Sequence, residues 1–176
     1  ITFIYSITNT SAAVTLLCLA AMPFFTAVMA YLFLKEKISI NVWVSIFIAS
    51  VGIIIMAIGN TEKNSLIGFL FGLASSIGFS VFSVSLRWRK ETPKFTTVAV
   101  AGLFCFVFAT IMILATNQSF FASSYNSSMF SLHGTLVCLG LILYSIGSKA
   151  IPAAELTLLS LTEVIGGIFW VWLPLF

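Results

Sequence analysis

The sequence has no aspartate, one histidine (His133) and no C-x-x-C pair, and its three cysteines, Cys18, Cys105 and Cys138, each stand alone inside an apolar run. Isolated cysteines argue against a disulfide framework and against a zinc site. With neither aspartate, a second histidine nor a G-x-S-x-G turn, the usual parts of a membrane protease or hydrolase are missing. No catalytic residue, metal or cofactor is therefore assigned, and an enzyme is not expected. Charge is scarce too: charged residues are 7% of the chain, against roughly a quarter in a soluble domain. That is too little to cover a surface facing water. A start methionine and a positively charged leader are also lacking, and the chain opens at Ile1 in an apolar context, which reads as a piece of a longer protein.

Hydrophobic residues, in contrast, are 60% of the sequence, and they fall in long runs. A run of about 18 to 25 apolar residues matches a hydrocarbon core of about 30 Å at 1.5 Å per helical residue. The runs do not alternate apolar with polar residues as barrel strands would. Backbone groups in lipid must then be satisfied within the segment, as in a helix. The expected fold is all-α, a polytopic membrane helix bundle. The expected spans are a partial one at 1–9 and full ones at 12–34, 42–58, 66–86, 95–116, 132–148 and 152–176.

The positive residues test these spans independently, because Lys and Arg beside a span are retained on the cytoplasmic side. Lys35 and Lys37 fall in one loop, Arg87, Arg89, Lys90 and Lys94 in the loop two spans later, and Lys149 in the loop two spans after that. These loops, 35–41, 87–94 and 149–151, must share a side and are expected to be cytoplasmic; of the eight positive residues only Lys63 lies opposite. The Ser/Asn-rich segment 117–131 is expected outside. A net charge of +3 needs no nucleic-acid partner, and the stretch RWRKETPK reads as an inside anchor.

The stretch TSAAVTLLCLAAMPFFTAVMAYLFLKE, residues 10–36, places Pro23 near the middle of a span. Proline removes one backbone hydrogen bond and frees the carbonyl of Leu19. The break is expected to act as a hinge or a polar lining point, the alternative being a kink patched by neighbouring helices. Shifted by 141 residues, SAAVTLL falls on PAAELTL, and Ala12, Ala13, Leu17, Leu32 and Leu34 meet identical residues. The copies lie five spans apart, an odd number, with four spans between them, so they cross the bilayer in opposite senses. Inverted repeats of this kind are common in secondary transporters, which bind substrate near mid-membrane between the halves.

These residues resemble a known family. TSAAVTLLCLAAMPFFTAVMAYLFLKEKIS followed by WVSIFIASVGIIIMA is similar to the fourth and fifth helices of the EamA family of the drug/metabolite transporter superfamily, with small residues, a mid-helix proline and a closing L-x-E. PAAELTLLSLTEVIGGIFWVWL resembles the ninth helix, where the family usually has a Glu-Pro pair; here Glu163 is followed by Val164. The resemblance implies ten helices in two inverted halves. This chain would hold the end of helix 3 through helix 9: residues 1–58 would end the first repeat and 66–176 would form most of the second, with helices 1, 2 and 10 missing.

Glu163 lies about twelve residues into its span, near the midplane. An ionised carboxylate there costs about 3 kcal/mol or more, so it must face a cavity, find a partner or stay protonated. It is the candidate coupling carboxylate, with a bond to a neighbouring helix as the alternative. Ser160, Gly166 and Gly167 leave room beside it, and Glu155, Thr162, Glu163 and Gly166 fall near one helical face. Glu155 is otherwise explained by the helix dipole in a first turn after Pro152. Trp170 is close enough to line the same cavity, and Trp43, Trp88 and Trp172 suit the interface belts. On the 66–86 span, Ser76, Ser80 and Ser83 share a helical face and Gly68 and Gly72 form a small-xxx-small pair; substrate path and close packing are both open readings. His133 reads as an outer boundary residue. Asn9, Asn117 and Asn126 begin N-x-S/T sequons that matter only in a secretory-pathway membrane.

The substrate-path candidates are thus Glu163, Pro23, Thr162, Ser160, Gly166, Trp170, Ser76 and Ser80. The expected function is a secondary carrier exporting a small neutral, zwitterionic or cationic metabolite, such as an amino acid, by alternating access. No Lys or Arg lies within a span, which disfavours a phosphate-bearing substrate, although an exchanger of such metabolites from the same superfamily is an alternative. A membrane scaffold or an embedded enzyme is the rival class. The expected partners are a small-molecule substrate, the lipid bilayer and a second copy in a candidate homodimer, with no nucleic acid. The expected location is the bacterial inner membrane.

Overall fold

A computed structural model describes residues 2–59, 66–88, 91, 95–116 and 123–172. The expected turn at 60–65, the basic residues Arg89, Lys90 and Lys94, the loop 117–122 and residues 173–176 lie outside the described residues, as does the Trp170 side chain. No strand occurs among the described residues, so the fold is all-α as expected.

Local chemistry sets most helix starts. α1 covers Thr2–Asn9, and Ser11 then caps α2, Ala12–Leu19, accepting at Oγ from the Val14 N–H at 3.2 Å. The chain turns at Ala20 and Ala21 and restarts as α3, Met22–Met29, with Pro23 in its opening positions. There proline's fixed φ suits a helix start, and its missing N–H costs nothing because the first N–H groups of a helix have no internal acceptor. Pro23 therefore divides the 12–34 span into two helices where the sequence suggested a kink with one freed carbonyl. α3 widens into a π-helical turn, Ala30–Leu34, which ends on Lys35 in the left-handed region at φ 53°. A non-glycine residue there costs roughly 1–2 kcal/mol. Ser39 then caps α4, Ile40–Gly59, accepting at Oγ from the Val42 N–H at 3.4 Å.

The remaining helices are α5, Leu66–Trp88; α6, Thr96–Ala115; α7, Ser124–Ala150; and α8, Ala153–Trp172. α7 starts eight residues before the expected span at 132. Ser123 accepts from the Asn126 N–H at 3.4 Å and begins the helix in polar sequence. Ser128, Ser131 and Thr135 then turn their hydroxyls onto the carbonyls of Tyr125, Ser127 and Ser131. Hydropathy registers no helix there because the side chains are polar, while the backbone hydrogen bonds are helical all the same. His133 consequently sits inside α7 and not at its opening, and Asn126 occupies a helical first turn.

Among the described residues, four stretches are long and apolar enough to cross a membrane: Val14–Leu34, Leu66–Trp88, Thr96–Ala115 and Ser124–Ala150. On α6, Leu103, Phe104, Phe106, Ile111 and Leu114 are all exposed. Such a surface is stable against hydrocarbon and not against water. The chain is an integral membrane protein.

The chain packs as two compact units, one formed by Ile1–Trp88 with Ile151–Phe176 and the other by Arg89–Ala150. This grouping follows packing and cuts across the expected repeats at 1–58 and 66–176. In the second unit, α6 and α7 touch and leave most of their apolar surface exposed. The first unit holds the candidate site. Its interior contains few large side chains. Thr15, Thr26, Thr157, Pro23, Cys18, Ser6, Ser76, Ser80 and Ser83 are among the largest that are fully buried. Small hydroxyl-bearing residues at helix contacts are the membrane solution to packing, where apolar burial offers no advantage over lipid.

Candidate functional site

The site is built around the break in the 12–34 span. α5 runs beside α1, α2 and α3 and presents Gly68, Gly72, Ser76 and Ser80, four residues apart, to them. A Cβ on Gly68 would run into the Thr10 side chain, and one on Gly72 would lie 2.8 Å from Cys18 Cβ, so both glycines are what permits the approach. Ser76 Oγ donates to the Cys18 carbonyl, and Ser80 Oγ to the Met22 carbonyl at 3.1 Å. Both pairs are separated by 58 residues, so α5 runs parallel to α2 and α3 and answers the break rung by rung. At one end of this seam, Ser6 and Thr15 share a hydrogen bond of 2.9 Å, and Thr10 and Thr15 one of 3.1 Å.

One hydroxyl has no rung. Thr26 Oγ1 is fully buried and has no hydrogen-bond partner among the described residues. Continuing the register by one turn places Val84 opposite Thr26, and a valine has nothing to donate or accept.

α8 packs against α3 in the opposite sense. Ala153 meets Ala30 and Val84 in one cluster, and Ala154 meets Ala27, Val42 and Ile46 in another. The buried edge of α8 carries Ala153, Ala154, Leu156 and Thr157. Its exposed edge carries Glu155, Leu159, Thr162 and Glu163, with the partly exposed Gly166 in line. Thr162 Oγ1 donates to the Leu159 carbonyl at 2.8 Å and Ser160 Oγ to the Thr157 carbonyl at 2.7 Å. A Cβ on Gly166 would have nothing within 4 Å. Counting from the Ala30–Ala153 contact, Pro23 lies about 10 Å and Glu163 about 15 Å along the helices, at 1.5 Å per residue. The two are therefore at similar depth, Pro23 inside the seam and Glu163 outside it.

The structure thus groups Thr162, Glu163 and Gly166 on one open face of α8, with Ser160 at its margin. It puts Pro23, Ser76 and Ser80 together in the closed seam. No three of His, Cys, Asp and Glu converge on a point able to hold a metal among the described residues.

The sequence reading did not find the Glu36 contacts. Arg87 Nε donates to Glu36 Oε1 at 2.8 Å, and the Ala153 N–H to Glu36 Oε2 at 3.4 Å. The Arg87 and Glu36 side chains are only 19% and 20% exposed, so salt screens this pair less than it would a surface one. The available signal was the charge pattern: both residues fall in loops assigned to the same side, and the contact joins the ends of those segments as that assignment requires. Two openings flank this end. A groove of about 270 Å³ is lined by Met29, Phe33, Val81, Val84, Ser85 and Trp88. A pit of about 10 Å³ is bounded by Glu36, Lys37, Val42, Pro152 and Glu155 among others, room for no more than about one water.

Residues 1–58, which span α1 to α4 and include the Pro23 break and Glu36, match the model of the EamA-like transporter family, within the drug/metabolite transporter superfamily. The resemblance read from the sequence is borne out over that stretch. No curated protein and no solved structure matches the chain.

Proposed function

We propose, from the match of residues 1–58 to the EamA-like transporter family, that the protein is a secondary carrier for a small neutral, zwitterionic or cationic metabolite, working by alternating access in a bacterial inner membrane. The match itself supports a drug/metabolite transporter-type role, which is not enzymatic. The finer reading rests on one observation: Glu163 is exposed on α8, in a helix of a chain otherwise built for lipid. A carboxylate held in hydrocarbon costs about 3 kcal/mol or more. A face carrying Thr162, Glu163 and Gly166 is therefore suited to a water-filled path and not to acyl chains. Glu163 would hold a proton, or the ammonium group of a substrate. The inverted repeat belongs to this reading, with α8 running unbroken from Ala153 to Trp172 against the broken span 12–34.

Counterflow of amino acids and amines in proteoliposomes containing the full chain tests it. Glu163→Gln is expected to reduce uptake, or its dependence on a proton gradient, to background. Full uptake with unchanged coupling would remove Glu163 from the path.

A further inference from the structure

Glu36 has no part in the carrier reading so far, yet three features of the fold converge on it. First, its two carboxylate oxygens serve two different helices, Oε1 the last turn of α5 through Arg87 and Oε2 the first N–H of α8 at Ala153. That N–H is among those a helix cannot satisfy internally, and it lies at the positive end of the helix dipole, so a carboxylate is the partner it calls for. Second, the backbone is bent to deliver it. The π-helical turn Ala30–Leu34 and Lys35 at φ 53° turn the chain back, and the Glu36 N–H closes on the Ala30 carbonyl at 3.3 Å. A regular helix carried on through Glu36 would project this side chain elsewhere.

Third, the contact beneath it is thin. Ala30, Val84 and Ala153 form the buried cluster at this end, with Met29 and Leu34 partly buried against it, and α8 contributes to it only the methyl group of Ala153, which buries little area and interlocks little. Apolar packing alone gives such a contact slight resistance to parting. The adjoining pit admits about one water at most, so among the described residues the side of this end between Glu36 and the start of α8 leaves no room for a solute.

We propose that Glu36 is the positioning residue that latches α8, the helix bearing Glu163, to α3 and α5, and that the carrier opens at this end only when both contacts of its carboxylate release together. The proposal rests on the carrier reading, since a protein that does not alternate has no need of a releasable seal.

The test uses the full chain with Cys18, Cys105 and Cys138 replaced by alanine and with Val84→Cys as a reporter, a smaller residue at a position now 5% exposed. Labelling by a membrane-impermeant maleimide is followed from each face of oriented vesicles. Glu36→Gln and Arg87→Gln are each expected to raise the labelling rate from the Glu36 face by about tenfold, as loss of a charge-assisted hydrogen bond implies. The charge swap Glu36→Arg with Arg87→Glu separates a latch from a simple ion pair. Arginine at 36 cannot accept the Ala153 N–H, so labelling should stay high, and a return to the parental rate would overturn the latch. So would a parental rate in Glu36→Gln. If Glu36→Gln aggregates on size exclusion, Glu36→Asp decides instead: one carbon shorter, it reaches one partner and should label faster than the parent, while a parental rate overturns the proposal. Labelling needs no transported solute. A reporter that opens in Glu36→Gln while no solute crosses in any preparation would overturn the carrier reading, and with it the gating role, and leave Glu36 as a structural clasp only.

Discussion

Gly72 and Gly78 sit six residues apart on α5 and illustrate how much a single Cβ decides. One added at 72 would meet Cys18 Cβ and Sγ at 2.8 Å, whereas one added at 78 would meet nothing within 4 Å. Gly72→Ala is expected to lower stability by about 1–3 kcal/mol through overpacking. Gly78→Ala should be neutral or raise stability by about 0.5–1 kcal/mol, because glycine weakens a helix interior. Thermal unfolding of the detergent-solubilised protein checks both, and equal shifts would contradict the packing at Gly72. The pairing of Gly68 with Gly72 was legible as a small-xxx-small motif. Which neighbours press on them was not, since motif spacing says nothing of the partner helix. Thr26 is similar: its residue type predicts a hydroxyl that bonds back within its helix, and only the facing helix shows that its register partner is Val84.

At the scale of elements, the break at Ala20–Ala21 and the serines of α5 form one device. Proline interrupts a helix cheaply only if other groups serve the backbone around the interruption, and Ser76 and Ser80 do so at Cys18 and Met22. Interhelical hydrogen bonds of this kind contribute about 0.6 kcal/mol each, so the double change Ser76→Ala with Ser80→Ala should cost roughly 1 kcal/mol in the same unfolding assay. Pro23→Ala restores an N–H to position 23 and favours joining α2 to α3. Under the hinge reading it should slow solute flux several-fold while leaving the protein folded. Unchanged flux would make the break a packing feature only. The proline itself was plain in the sequence, but the two serines that serve the break lie 58 residues from the carbonyls they bond, beyond any local pattern. α7 shows the opposite failure: its early start is a local matter of Ser123 capping, obscured by reading hydropathy in place of caps.

Across the whole molecule, orientation is the property with the widest consequences. The contacts of Glu36 with Arg87 and Ala153 bring the ends of three segments together, as a shared side for loops 35–41, 87–94 and 149–151 demands. Single cysteines at Lys37 and Ser127, both exposed, should react with an impermeant maleimide from opposite faces, position 37 from the cytoplasm. Equal reactivity of both from one face would overturn the assignment. Unlike the latch test, this labelling holds for any protein with this topology, whether or not it carries solute.

Composition alone determined the solvent: with so little charge and apolar runs of bilayer length, the backbone had no stable course but helices in lipid. Charge alternation likewise assigned loops 35–41, 87–94 and 149–151 to one side as an expectation, because translocation cost acts on each loop by its own residues. Tertiary structure decided what those pieces do to one another. Only the fold puts Ser80 on Met22 and one carboxylate between two helix ends, because such contacts depend on register and approach between distant segments. It also turns Glu163 away from the seam, since the face a helix buries is chosen by its neighbours.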